Sequence, residues 1–167
     1  EVTVTLADQQ ADPNSPLYSA KTFEELGLSE ELLKGIYQMG FTKPSKIQER
    51  ALPLLLANPP TNMIGQSQSG TGKTAAFVLT MLSRVDYSLP KPQAICLTPS
   101  RELARQIMNV LITMGKYTAV QAEYAIKDHL PRDATSITAQ IIIGTPGTMN
   151  DLMRRRVVDV SNIKVFV

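Results

Sequence analysis

The sequence predicts an α/β fold, a parallel sheet with helices on both faces. Two observations carry that reading. Apolar runs of strand length, Ala94-Ile95-Cys96-Leu97, Ile141-Ile142-Ile143 and Ile163–Val167, alternate with segments of helical periodicity. Strands covered on both faces read as unbroken apolar runs because no side chain on them meets water. A Gly/Ser-rich loop, Ser67–Thr74, separates another short apolar run from a helix. Loops in that position lie at the C-terminal ends of parallel strands, where such sheets bind ligands.

The elements follow in order. Residues 1–22 read as a leader or linker: Asp12-Pro13-Asn14-Ser15-Pro16 crowds turn formers together, and Val2, Val4 and Leu6 alternate with Thr3 and Thr5 as a short strand would. Residues 23–60 form a helical region. Ser29 is a good N-cap followed by Glu30 and Glu31, with Leu28, Leu32, Leu33 and Ile36 on one face and Gly40 as the stop. A second helix starts near Pro44, turns Ile47, Ala51, Leu54 and Leu55 inward, and halts at Asn58-Pro59-Pro60. Residues 61–167 hold the α/β core. Its expected elements are a strand at Asn62-Met63-Ile64, a helix over Thr74–Arg84, a strand at Ala94–Leu97 and a helix over Arg101–Met114. They continue with a strand within Val120–Ile126, a strand at Ile141–Ile143, a helix over Gly147–Arg155 and a last strand at Ile163–Val167.

Composition narrows the class. The 167 residues are 43% hydrophobic and 19% charged, ordinary for a folded domain. No apolar run approaches the roughly 20 residues that span a bilayer. One cysteine, Cys96, excludes an internal disulfide and points to a reducing compartment, cytosol or nucleus. The net charge of +2 hides a division: residues 1–31 carry seven acids and one base, whereas residues 32–167 carry sixteen bases and eight acids. A basic body suits a polyanionic partner, and equally an ordinary solvated surface. The chain begins at Glu1 without a methionine and reads as part of a longer protein.

The strongest motif is Ser67-Gln68-Ser69-Gly70-Thr71-Gly72-Lys73-Thr74. It matches the phosphate loop, with Ser67 where the pattern usually begins with Gly or Ala. Gly70 and Gly72 let successive N–H groups converge on one point, and the following helix N-terminus adds partial positive charge. Lys73 reaches the β- and γ-phosphates and the Thr74 hydroxyl ligates Mg²⁺. These two are the candidate catalytic residues. No Asn-Lys-x-Asp guanine reader is present, which argues against a GTPase; a small-molecule kinase or another ATPase stays open at this point.

Three further motifs flank the loop. Gly40-Phe41-Thr42-Lys43-Pro44-Ser45-Lys46-Ile47-Gln48 lies upstream, with Phe23 seventeen residues before Gly40. A glutamine amide matches the N6/N7 edge of adenine, and an aromatic ring can stack on the base. Pro99-Ser100-Arg101-Glu102-Leu103-Ala104 and Thr145-Pro146-Gly147-Thr148 each follow an apolar run and open a helix, so both suit phosphate contact through backbone N–H groups. Taken singly, Gln48 reads as an exposed helix residue and the other two as ordinary N-caps.

As an ordered set, these motifs resemble the first RecA-like domain of the DEAD-box RNA helicases over residues 23–167. The wording of Pro44–Pro53, Gln66–Phe77 and Ala11–Ser19 resembles the branch that serves mRNA export at the cytoplasmic face of the nuclear pore, in a fungal form. The resemblance implies a RecA-like P-loop NTPase domain that binds ATP/ADP with Mg²⁺ on Thr74. Gln48 then reads adenine, with Phe23 or Phe41 on or near the base and Lys43 beside it. Ser67, Gln68, Ser69, Gly70, Thr71, Gly72 and Lys73 wrap the phosphates. Pro99, Ser100, Arg101, Thr145, Pro146 and Gly147 contact single-stranded RNA without reading its sequence. A nucleoporin, a second RecA-like domain of the parent chain, and a monomer in cytoplasm and nucleus are the implied partners, state and location.

Departures are Ser100 for Thr, Thr148 for Arg, and Ala125-Ile126 where many members carry Gly-Gly. The family's Asp-Glu-Ala-Asp motif would follow Val167, so the expectation for these 167 residues alone is no ATP hydrolysis, and an exposed strand edge. Docking to a nucleoporin as a binding module is the alternative reading. Arg154-Arg155-Arg156 suits a helix C-terminus, and His129 beside Pro131 a solvated loop.

Overall fold

A computed structural model of the chain describes residues 19–68 and 72–167. The strand expected at Val2–Leu6 lies outside the described residues. Helix α1 spans Glu30–Gln38, α2 Lys46–Leu55, α3 Lys73–Arg84, α4 Arg101–Met114 and α5 Pro146–Arg154. Strands β1 (Ala94–Leu97), β2 (Ala122–Ala125), β3 (Ile141–Gly144) and β4 (Val165–Phe166) form one parallel sheet in the order β2-β3-β1-β4.

Alternation along the strands builds two cores. Ala94, Cys96, Ile141 and Ile143 pack with apolar residues of α1 to α4. Ile95 and Ile142 face the other way, onto Met149 and Leu152 of α5 and onto Val157 and Val158. The helices therefore cover both faces, as the apolar strands require. Cys96 is 1% exposed, and burial pushes its thiol up to about 11; it is a small core residue with no accessible thiolate.

Two expectations are corrected. Residues 62–64 form no strand. Met63 and Ile64 are exposed, Ile64 fully. A strand needs a neighbour to take its N–H and C=O groups, and β4 pairs with β1 alone among the described residues. A cavity of about 690 Å³ lies between residues 60–65 and β4, walled by α2 and α3. Helix α2 is also turned from its expected face. Gln48, Ala51 and Leu52 are its buried residues, while Ile47 and Leu55 line the cavity. Pro44 precedes this helix; Ser45 is its N-cap.

Packing extends upstream of Phe23. Ser19 and Ala20 are 4% and 0% exposed, inside the expected leader. Pro53 sits within α2 and has no N–H to give to the carbonyl of Glu49 four residues back. The Ala20 N–H takes that place, donating to the Glu49 carbonyl at 2.9 Å. Lys21 Nζ adds an ion pair to the Glu49 carboxylate at 3.2 Å. At the other end of α2, the Arg84 guanidinium of α3 donates to the carbonyls of Leu55 and Ala57. These contacts satisfy backbone acceptors that the helix leaves open.

Candidate functional site

The site assembles where α2 begins beside the start of α3. Helix α2 opens with a capping box: Gln48 N–H donates to Ser45 Oγ at 3.5 Å, and Ser45 N–H donates to Gln48 Oε1 at 2.9 Å. This fixes the Gln48 side chain, which is 2% exposed. Its Nε2 donates onward to the Gly72 carbonyl at 3.2 Å. An amide has two N–H groups and two oxygen lone pairs, so one donor and one acceptor remain for a ligand. Those are the groups that pair with the N6/N7 edge of adenine.

Gly72 caps α3 in the left-handed region, at φ +95°. A Cβ there would lie 2.6 Å from Gln48 Nε2 and 2.7 Å from Ser45 Oγ. Conformation and space both demand glycine. Lys73 follows, and its Nζ donates to the Ser67 carbonyl at 2.6 Å. The ammonium thus spans the base of the loop, where an incoming phosphate would compete with a neutral carbonyl for it. Ser69, Gly70 and Thr71 lie outside the described residues. Lys73 and Thr74 are half-buried and line the 690 Å³ cavity; Gln68 is exposed.

Phe23 is 2% exposed and meets Tyr37 edge-on, with ring centroids 6.5 Å apart. It shares with Phe41, Gln48 and Leu52 a crevice without room for water. Its place is behind Gln48, with its ring buried. Phe41 is half-buried and Lys43 exposed, both in the turn before α2. Tyr37 donates to the Glu24 carboxylate, and that bond holds the Glu24 carboxyl below its ordinary range.

Pro99, Ser100 and Arg101 lie at the C-terminal end of β1, and Thr145, Pro146 and Gly147 at that of β3. Leu97 is in register with Gly144, so the two turns are neighbours. Ser100 Oγ accepts from Leu103 N–H at 3.2 Å as the N-cap of α4. The Thr145 side chain makes no such bond at α5. Arg101, Pro146 and Gly147 are exposed, and Arg101 has no ion pair among the described residues. His129 is exposed, as expected of a solvated loop, and there it meets Glu123 Oε1 at 2.6 Å and the Tyr124 ring edge-on. Arg155 pairs with Asp151 one turn back in α5.

Three parts of this arrangement have no place in the sequence reading. Ser45 has a legible signal, since Ser-x-x-Gln is a capping-box spacing. Thr98, whose hydroxyl bonds to Ser100 and Gly144, and Ala20 have none, because Gly144 and Glu49, the carbonyls that tie them to the rest of the fold, are distant in sequence.

The sequence profile of the DEAD/DEAH box helicases matches residues 45–167. The chain belongs to the DEAD/DEAH box helicase family. That membership removes the unrelated-kinase reading and confirms the RecA-like fold. Among helicases of this family, the chain is 73% identical over its whole length to ATP-dependent RNA helicase dbp5 of Schizosaccharomyces pombe, and covers 33% of it. Saccharomyces cerevisiae Dbp5 bound to RNA and ADP BeF3 matches with a TM-score of 0.84 at 62% identity, over 88% of this chain and 37% of that one. A variant of that yeast helicase bound to Nup159, a Gle1 variant, IP6 and ADP matches with a TM-score of 0.81 at 61% identity, over 84% of this chain and 37% of that one. The chain thus spans about a third of the length of the helicases it matches. No described helix is long and apolar enough to cross a membrane.

Proposed function

We propose that this chain is the ATP- and RNA-binding first RecA-like domain of an ATP-dependent RNA helicase. The observation that carries the reading is the junction of Gln48 and Gly72, which ties a base-reading amide to the start of the phosphate-loop helix. Gln48 reads adenine with its remaining donor and acceptor, and Phe41, half-buried beside it, supplies a partly open ring. Residues 67–73 hold the phosphates, and Lys73 exchanges the Ser67 carbonyl for phosphate oxygens.

Mg²⁺ fits this site only in company with the nucleotide. No cluster of three or more His, Cys, Asp or Glu that would hold a metal occurs among the described residues. The Thr74 hydroxyl then acts as one oxygen ligand beside phosphate oxygens and water. When bound, the ion neutralises charge on the phosphates.

RNA runs across the 99–101 and 145–147 turns, held by backbone N–H groups and Arg101 and without sequence readout. A second RecA-like domain of the full protein closes over both ligands. The relative bound to RNA and ADP BeF3 supports both ligand classes. The relative bound to Nup159 supports a nucleoporin partner, and with it work in mRNA export at the cytoplasmic face of the nuclear pore. The test is ATP turnover by the full-length protein with and without single-stranded RNA. RNA-stimulated turnover that Lys73→Ala abolishes is the expected result; turnover indifferent to RNA contradicts the reading.

A further inference from the structure

Thr98 is the first residue after β1 and is 2% exposed. Its N–H donates to the Gly144 carbonyl at 2.8 Å, extending the β1–β3 ladder by one bond. Its hydroxyl then turns to the next loop. Oγ1 lies 2.8 Å from the Ser100 carbonyl and 3.4 Å from that of Gly144. A hydroxyl has one hydrogen, so the short bond to Ser100 dominates and the longer one shares it. One buried side chain therefore joins the N-cap of α4 to the last residue of β3.

Those two places are the roots of the two turns. Ser100 directs Arg101 into the first turn of α4, and Gly144 directs Thr145 and Pro146 into α5. Gly144 lies hard against β2, where a Cβ would fall 2.0 Å from the Ala125 carbonyl, and that carbonyl also accepts the Thr145 N–H at 3.1 Å. The β3 turn is thus held on its far side, and Thr98 refers the β1 turn to it. Neither carbonyl depends on the hydroxyl for satisfaction. The Ser100 carbonyl also accepts from Ala104 N–H at 3.1 Å, and the Gly144 carbonyl from Thr98 N–H. Removing the hydroxyl orphans no acceptor, so its effect falls on the direction of the turn more than on the stability of the fold.

We infer that Thr98 is a positioning residue that sets the spacing of the two RNA-contacting turns, and with it the fit of the domain to consecutive phosphates of a single strand. The inference rests on the proposed RNA path over residues 99–101 and 145–147. A rigid pair of contacts matches a fixed phosphate spacing without an ordering cost on binding.

The experiment uses the full-length protein, labelled single-stranded oligouridine in the presence of ADP and beryllium fluoride, and labelled ADP in a separate titration. Thr98→Val, which keeps the shape and removes the hydroxyl, weakens RNA affinity about three- to tenfold and leaves ADP affinity within about twofold. Thr98→Ser, which keeps the hydroxyl, binds RNA as the parent protein does. Unchanged RNA affinity in Thr98→Val overturns the assignment. So does an equal loss of RNA and ADP affinity, or a loss in Thr98→Ser that matches the valine variant. A parent protein that binds ADP but no RNA overturns the RNA path itself, and the assignment with it.

Discussion

Gln48 Nε2 donates to the Gly72 carbonyl at 3.2 Å, from a residue that begins one helix to the residue that caps another. The contact ties the Gln48 amide to the residue that caps the phosphate-loop helix. Gln48 is buried for this reason, and its remaining hydrogen-bonding groups are the part of it that a ligand meets.

Gly72 is the more sensitive end of that contact. Gly72→Ala places a methyl group 2.6 Å from Gln48 Nε2, in a backbone conformation costing an L-residue roughly 1–2 kcal/mol. Either α3 unwinds by a residue or Gln48 leaves its box. The expected result is a loss of nucleotide affinity of more than about tenfold, with thermal stability lowered by about 1–3 kcal/mol, read by ATP titration and by thermal unfolding.

The contact between Ala20 and α2 makes residues 20–22 part of the folded unit. A variant starting at Phe23 leaves the Glu49 carbonyl without a donor and removes the Lys21 ion pair. Its stability should fall by about 1–3 kcal/mol, roughly 2–10 °C in Tm for a domain of this size. A variant starting at Ser19 keeps both contacts and should melt above the one starting at Phe23 by that amount. Denaturation curves of the two variants check the difference.

The sheet and most helices were legible because their signals are local. Ser29 and Ser100 occupy N-cap positions ahead of periodic apolar residues, and both cap as that pattern requires. Ile141–Ile143 has no plausible reading other than a buried strand once helices flank it. The errors share one cause, dependence on a remote partner. Asn62–Ile64 has strand composition, yet a ladder takes two strands and its neighbour is set by topology. The face of α2 was misjudged because Gln48 is polar and buried, and what it satisfies lies 24 residues away. Ala20 likewise docks on a carbonyl that only the combination of Pro53 and the folded chain leaves open.

Within the candidate site, the order and spacing of the motifs picked out residues that the fold brings together in part. Gln48 and Gly72 meet directly, Lys73 closes on Ser67, and the 99–101 and 145–147 turns lie side by side. Phe23 packs behind Gln48, 2% exposed, a placement that an aromatic residue seventeen positions before Gly40 does not signal.

The most direct test is the ratio of ATP to GTP affinity in the full-length protein and in its Gln48→Ala variant. A bidentate amide–adenine pair is worth about 1–3 kcal/mol of base discrimination. The parent protein should therefore prefer ATP by about five- to 150-fold, and the variant should lose most of that preference. A ratio that survives Gln48→Ala unchanged would show that the base is read elsewhere and contradict the account.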